Sequence, residues 1–238
     1  MPVITALLLD VDDTLLDTRA AMVAAAEAAA VALWPQAGPA VHQAAGARFH
    51  ADHGGYFGKF TRGELSFAQM RQARVSELLE FFSLAPSVDV FRRFDDVYEP
   101  AFAARLSCFD DALPFLESVR AAGMPVGLLT NASSSYTSQK LEMTGLAGLF
   151  AVVATRDTLG FGKPDPRAFH HACQRLGSAL PETLYVGDHL EVDAIAARDA
   201  GLAAVWLQRE PADPPGAARA RSRGIPIVGS LSQVEGLL

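Results

Sequence analysis

A short apolar run, Val3-Ile4-Thr5-Ala6-Leu7-Leu8-Leu9, breaks off into Asp10-Val11-Asp12-Asp13-Thr14. The run is too short to cross a membrane and reads as a fully buried strand. Three carboxylates therefore stand at or just past its C-terminal end, the edge at which open α/β sheets bind ligands. Gathering like charges there is unfavourable: two carboxylates about 4 Å apart repel by roughly 4 kcal/mol at a near-surface dielectric. A divalent metal is the usual remedy. Taken alone, an Asp-x-Asp at a strand end reads more readily as a solvated acidic turn.

The remainder of the chain decides between the two. Asp17 or Thr18 caps an Ala-rich helix running to about Leu33. Residues 37–105 keep a helical texture, with apolar residues at helical spacing in Phe67, Met70, Val75, Leu78, Leu79 and Phe82. Asp89 caps a further helix through Val97. Residues 17–105 thus read as a helical bundle. From Asp110 the pattern alternates. Asp110 or Asp111 opens a helix with Pro114 in its first turn and Gly123 at its end. Strands are expected at 125–129, 151–154, 184–186 and 203–207, with helices at about 134–144, 166–176 and 193–200 between them. Ile225-Pro226-Ile227-Val228 adds a late edge strand, where a Pro is tolerated. Residues 209–224, rich in Pro, Ala and Arg, read as a surface loop. Strand, helix, strand with short links means right-handed crossovers and a parallel sheet. The expected fold is α/β, a parallel-sheet core over 1–16 and 106–238, interrupted by a helical insert over 17–105.

Length and composition bound the partners. A chain of 238 residues holds one large domain or two smaller ones. A formal net charge of −7, with no stripe of Lys and Arg, argues against nucleic acid. Arg219, Arg221 and Arg223 read as the solvated end of a surface segment. Residues 1–9 carry no basic leader, and no window reaches the length of a membrane helix. Cys108 and Cys173 are far apart and form no C-x-x-C. A reducing cytoplasm, with no membrane partner, is the expectation.

Polar residues follow one strand after another. Asp10, Asp12, Asp13 and Thr14 follow the first, Thr130-Asn131 the next, Lys163-Pro164-Asp165 the loop after 151–154, and Gly187-Asp188, with Asp193, the strand at 184–186. In a parallel sheet all these ends lie on one edge and converge on one crevice.

These four motifs, in this order, resemble the haloacid dehalogenase-like superfamily, in the branch with a helical cap inserted after the first strand. The match covers the core, residues 1–16 and 106–238; in the cap, Arg62-Gly63-Glu64 is similar to a stretch common in that branch. The resemblance implies a Rossmann-like core and phosphoryl transfer. Asp10 is then the nucleophile, attacking phosphorus to form an aspartyl-phosphate. Asp12 protonates the leaving oxygen and later activates water, with a pKa raised by its acidic neighbours. Thr130 and Asn131 hold phosphate oxygens. Lys163 brings positive charge to the nucleophile and the phosphoryl group. Mg²⁺ is the implied cofactor, bound by the Asp10 side chain, the Asp12 backbone carbonyl and Asp188, with Asp193 just behind orienting waters or Lys163.

Two positions depart from the family pattern. Asp13 stands where Gly or Asn is common and is expected to point away or meet the cap; His189 follows Gly187-Asp188 and is expected to pack over the site. Gly160-Phe161-Gly162-Lys163 is not a P-loop, because Pro164 replaces the Ser or Thr. In the cap, Tyr56, Lys59 and Arg62 are candidates to reach the crevice, where cap closure excludes water. His50 and His53 have no matching metal-ligand set.

The expected activity is Mg²⁺-dependent hydrolysis of a small phosphorylated metabolite, of sugar-phosphate, nucleotide or phosphoglycolate type, by a monomer or homodimer. The alternatives on the same fold are a sugar-phosphate mutase and a 2-haloacid dehalogenase, the latter disfavoured because dehalogenases usually carry Tyr at the position of Asp12. From other classes, a signalling receiver domain would lack the insert, and a non-catalytic regulatory protein would not need the intact acid set.

Overall fold

The structure is a computed structural model and describes residues 3–209 and 213–238. Six parallel strands form one sheet in the order β3-β2-β1-β4-β5-β6: β1 Ala6–Leu9, β2 Val126–Thr130, β3 Val152–Thr155, β4 Thr183–Gly187, β5 Ala203–Leu207 and β6 Ile227–Val228. β1 is wholly buried, as a strand covered on both faces by helices must be. The chain grows from β1 through β2 to β3 on one side, then returns to place β4, β5 and β6 on the other. The reversal falls at β1 and β4, the kind of place where such sheets bind ligands. Leu9 pairs with Leu128 and with Val186, and the Asp10 N–H donates to the Val186 carbonyl at 2.9 Å. Asp10 therefore leaves the sheet level with the ends of β2 and β4.

Helices are α1 Thr18–Leu33, α2 Pro39–Ala51, α3 Tyr56–Thr61, α4 Phe67–Phe81, α5 Val90–Arg105, α6 Ala112–Ala121, α7 Ser134–Met143, α8 Arg156–Leu159, α9 Pro166–Leu176, α10 Ala196–Asp199, α11 Pro214–Ser222 and α12 Leu231–Val234. The chain forms two compact units: one runs to Asp17 and resumes at Cys108, the other is Thr18–Ser107.

Within the helical unit, α1 packs on α2 and α5 through Ala21, Ala25, Ala26, Ala29 and Ala30, small side chains that permit a close approach. Phe94, Tyr98 and Phe102 form a buried ladder along α5. That ladder carries α5 on to Arg105, beyond the expected end at Val97, and Pro100 sits inside it. Apolar packing there outweighs the hydrogen bond that a proline withholds.

In the sheet unit two expectations are corrected. The segment read as a loop contains α11, with Pro214 at its first position and the Asp213 carboxylate accepting from the Gly216 N–H. Ala217 and Ala220 bury one face of it. Glu210, Pro211 and Ala212, in the same predicted loop, lie outside the described residues. The helix expected from Asp193 begins instead at Leu190, and Leu190–Ile195 is a π-helical stretch leading into α10. Among the described residues, no helix is long and apolar enough to cross a membrane.

Candidate active site

Each polar group sits where its strand ends. Asp10 follows β1, and the turn after it closes when the Asp13 N–H donates to the Leu16 carbonyl at 2.8 Å. Asp13 adopts φ 57°, the left-handed region that Asp tolerates better than most residues. The turn is pinned from behind by Arg209, which donates to the Thr14 carbonyl at 2.8 Å and pairs with Asp111 at 2.8 Å. Asp111 thus stands before α6 without capping it with its side chain.

Lys163 is the centre of the cluster. Its Nζ donates to Asp10 Oδ1 at 2.5 Å, Asp193 Oδ1 at 2.7 Å and the Tyr185 hydroxyl at 2.9 Å. All three ammonium hydrogens are engaged, and Lys163, Asp10 and Asp193 are all buried. Burial alone would lower the lysine pKa; the charges of Asp10 and Asp193 win and hold it above its ordinary value. Asp10 keeps Oδ2 for other work, touched by the Thr14 hydroxyl at 3.4 Å. Burial pushes the Asp10 carboxyl up to about 7; Lys163 opposes the rise, while Asp193 and Asp12 add to it. Asp188, half-buried, is held well above the ordinary carboxylate range by desolvation and then by the charges of Asp10, Asp193 and Asp13.

Asp193 takes a buried place in the π-helical stretch. Its Oδ1 accepts from Lys163 and Tyr185, and its Oδ2 from the His189 N–H at 3.0 Å. His189 itself caps that helix, its Nδ1 accepting from the Val192 N–H at 3.2 Å. It is exposed, so the expectation that it packs over the site is corrected: capping draws the ring to the helix end. Gly187 is required by this closeness, since a Cβ there would lie 2.5 Å from Asp193 Cγ. One oxygen from each of Asp10, Asp188 and Asp193 lies within 4.8 Å of the others. An all-carboxylate set of this kind could hold a hard divalent cation.

Thr130 ends β2, and its Oγ1 accepts from the Ala132 N–H at 3.2 Å, leaving its hydroxyl hydrogen to donate elsewhere. Asn131 is buried and gives its Nδ2 to the Lys163 carbonyl at 2.8 Å, tying the end of β2 to the loop after β3. A Cβ at position 162 would lie 2.4 Å from Asn131 Oδ1, which explains the glycine before Lys163. Lys163 and Pro164 are joined by a cis peptide bond.

Two partners were not read from the sequence. Tyr185, buried in β4, shares Lys163 with Asp193; its signal was a hydroxyl inside an apolar strand. Lys140 on α7 places Nζ 2.5 and 2.7 Å from the two oxygens of Asp12. Its side chain is 1% exposed. Thr137, Lys140 and Leu141 form the buried face of α7, and a lysine at that spacing was the legible clue. In the helical unit, Arg62 is exposed and pairs with Glu64 at 2.5 Å, and Lys59 lies over the Tyr56 ring at 5.0 Å. His53 is exposed and His50 half-buried.

The model of the haloacid dehalogenase-like hydrolases matches residues 4–201, and the chain belongs to that family. A phosphoserine phosphatase of Thermus thermophilus is 39% identical over 112 residues, covering 46% of this chain and 45% of that protein. A phosphoglycolate phosphatase of Thiobacillus denitrificans is 39% identical over 93 residues, covering 39% of this chain and 40% of its own length. The chain spans about half the length of the curated relatives it matches. A crystal structure of a dehalogenase with an intermediate complex superposes with TM-score 0.76 over 100% of this chain and 98% of that one, at 23% identity, a likeness of fold.

Proposed function

We propose that this chain is a Mg²⁺-dependent phosphatase that hydrolyses a small phosphomonoester through an aspartyl-phosphate on Asp10. The observation that carries the proposal is the pairing of two carboxylates with two separate lysines: Asp10 with Lys163 and Asp12 with Lys140. A nucleophile and an acid–base partner are thereby held apart two residues from one another. Phosphatases among the relatives support the substrate class.

In the first half-reaction Oδ2 of Asp10, the oxygen not held by Lys163, attacks phosphorus. The bond from phosphorus to the ester oxygen breaks, and Asp12 gives that oxygen its proton, releasing the alcohol. In the second, water attacks the same phosphorus, Asp12 takes the water proton, and the bond to Asp10 breaks to release inorganic phosphate. The Thr130 hydroxyl and the Asn131 backbone N–H take phosphate oxygens. Lys163 fixes Asp10 Oδ1, leaving the other oxygen to react, and Asp193 holds Lys163 in place.

The Asp10 and Asp188 side chains and the Asp12 backbone carbonyl would hold Mg²⁺, with Asp193 supporting them. When bound, it supplies the positive charge that lets a carboxylate approach a phosphate dianion. Asp12 favours phosphoryl transfer over dehalogenation, because a halide leaves without a proton. This reading puts the enzyme in the cytoplasm, among the small phosphorylated metabolites it would act on.

The test is phosphate release from a panel of sugar phosphates, nucleoside monophosphates and phosphoglycolate, with Mg²⁺ and with EDTA. Mg²⁺-dependent release that vanishes in Asp10→Asn supports the proposal. Release that persists in Asp10→Asn overturns it.

A further inference from the structure

Lys140 lies on the buried face of α7, where an ammonium without a partner is strongly destabilising. Its Nζ takes both oxygens of Asp12, at 2.5 and 2.7 Å, and lies 5.1 Å from the Tyr136 ring centre. The pair is lopsided. The Asp12 side chain is 32% exposed and is solvated by water without help, whereas the Lys140 side chain is 1% exposed. Asp12 therefore does not need Lys140 for solvation. What the lysine supplies is direction: a buried ammonium on both oxygens sets the orientation of the carboxylate after β1. α7 is itself anchored where Ser133 Oγ accepts from the Tyr136 N–H, three residues beyond Thr130.

We propose that Lys140 is the positioning residue for Asp12. It holds the carboxylate by both oxygens, and when Asp12 takes up its proton one oxygen leaves the ammonium for the leaving oxygen and, afterwards, the attacking water, while the other stays on Lys140. The inference rests on the phosphatase proposal, in which Asp12 is both acid and base. The chemistry is unchanged: the released Asp12 oxygen passes its proton to the ester oxygen as that bond to phosphorus breaks, then recovers a proton from water as the bond to Asp10 breaks.

The two half-reactions allow a test that a merely structural lysine would not pass. p-Nitrophenolate departs without a proton, whereas an alkoxide does not. kcat/KM, which reports the steps through phosphorylation of Asp10, is measured on p-nitrophenyl phosphate and on the alkyl phosphate that the wild type turns over best. In Lys140→Met, kcat/KM should fall about 100-fold on the alkyl ester, within the range for a displaced general acid, and by no more than about threefold on the aryl ester. Hydrolysis of the aspartyl-phosphate also slows, so the aryl ester should show a burst of nitrophenolate close to one per active site. The ratio of the two kcat/KM values does not depend on how much of the variant is folded. Lys140→Arg, which keeps a charge and two donors, should return that ratio to within about tenfold of wild type. An unchanged ratio in Lys140→Met without a burst overturns the inference while leaving the phosphatase proposal standing. A wild type inactive on every ester overturns both.

Discussion

The Lys163 ammonium lies 2.5 Å from Oδ1 of Asp10, and the two side chains are 3% and 8% exposed. A buried ion pair is strongly destabilised when one partner is removed, by about 3–5 kcal/mol, because the other is left as an uncompensated charge. Lys163 has a second acidic partner in Asp193, so its loss strands two carboxylates. Lys163→Met should lower the melting temperature by roughly 10 °C, on the scaling of about 2–4 °C per kcal/mol for a chain of this size. Adding Asp193→Asn should recover part of the loss. Additive melts in the double variant would refute the coupling.

Asp10→Asn should abolish phosphate release and yet leave the melting temperature at or above that of wild type near pH 8. The amide keeps the shape of the side chain and removes one of the like charges that hold Asp188 high. A circular-dichroism melt beside a phosphate assay checks both halves. A folded, active Asp10→Asn would remove the nucleophile from the mechanism.

The Asp12–Lys140 pair predicts an asymmetry in stability. Asp12→Asn leaves the buried ammonium without its carboxylate, whereas Lys140→Met leaves a carboxylate that water reaches. Asp12→Asn should therefore melt lower than Lys140→Met, by several degrees, and lose about 10²–10⁴-fold in turnover. The opposite order of melting temperatures would contradict this account of the pair.

Much of the fold was legible because a parallel sheet writes itself as continuous apolar runs. Leu7-Leu8-Leu9 and Leu128-Leu129 admit no alternation, and each ends in a polar residue that has somewhere to go. Asp10, Lys163, Asp188 and Asp193 converge because the three strands they follow end on one edge. Long-range choices were not legible. Asp111 looked like a helix cap, yet Arg209, nearly a hundred positions away, claims it. α5 crosses Pro100 because a ladder of rings rewards its continuation, and α11 was hidden by a composition that reads as loop. Lys140 and Tyr185 needed the fold itself, since nothing local says which buried residue will face an acid.

Gly187 tests how tightly the acidic cluster is built. A Cβ there would lie 2.5 to 2.7 Å from Asp193 Cγ, Cβ and Oδ2, closer than real side chains approach. Gly187→Ala must push Asp193 aside and with it Lys163. A cost of about 1–3 kcal/mol and a loss of turnover of at least about tenfold are expected. Gly123→Ala, where a Cβ meets nothing within 4 Å though φ is 72°, serves as the control: destabilised by its backbone but fully active per folded molecule.

Acidity and metal should oppose one another at this site. The Asp10 carboxyl is raised from 3.8 to about 7, chiefly by burial, and Asp188 is raised as well. Between these values the folded protein holds a proton that the unfolded chain has released. Stability therefore falls as pH rises, and the proton's contribution is gone above about 7. Metal-free protein should melt at least about 5 °C lower at pH 8 than at pH 5 through these groups, and Asp10→Asn should flatten that slope. A dication needs the ionised carboxylates, so Mg²⁺ should raise the melting temperature at pH 8 and do little at pH 5, with protons released on binding at pH 6.5. Calorimetry in two buffers of different ionisation heat counts those protons. Equal Mg²⁺ stabilisation at both pH values would mean that the cation binds elsewhere than at Asp10 and Asp188.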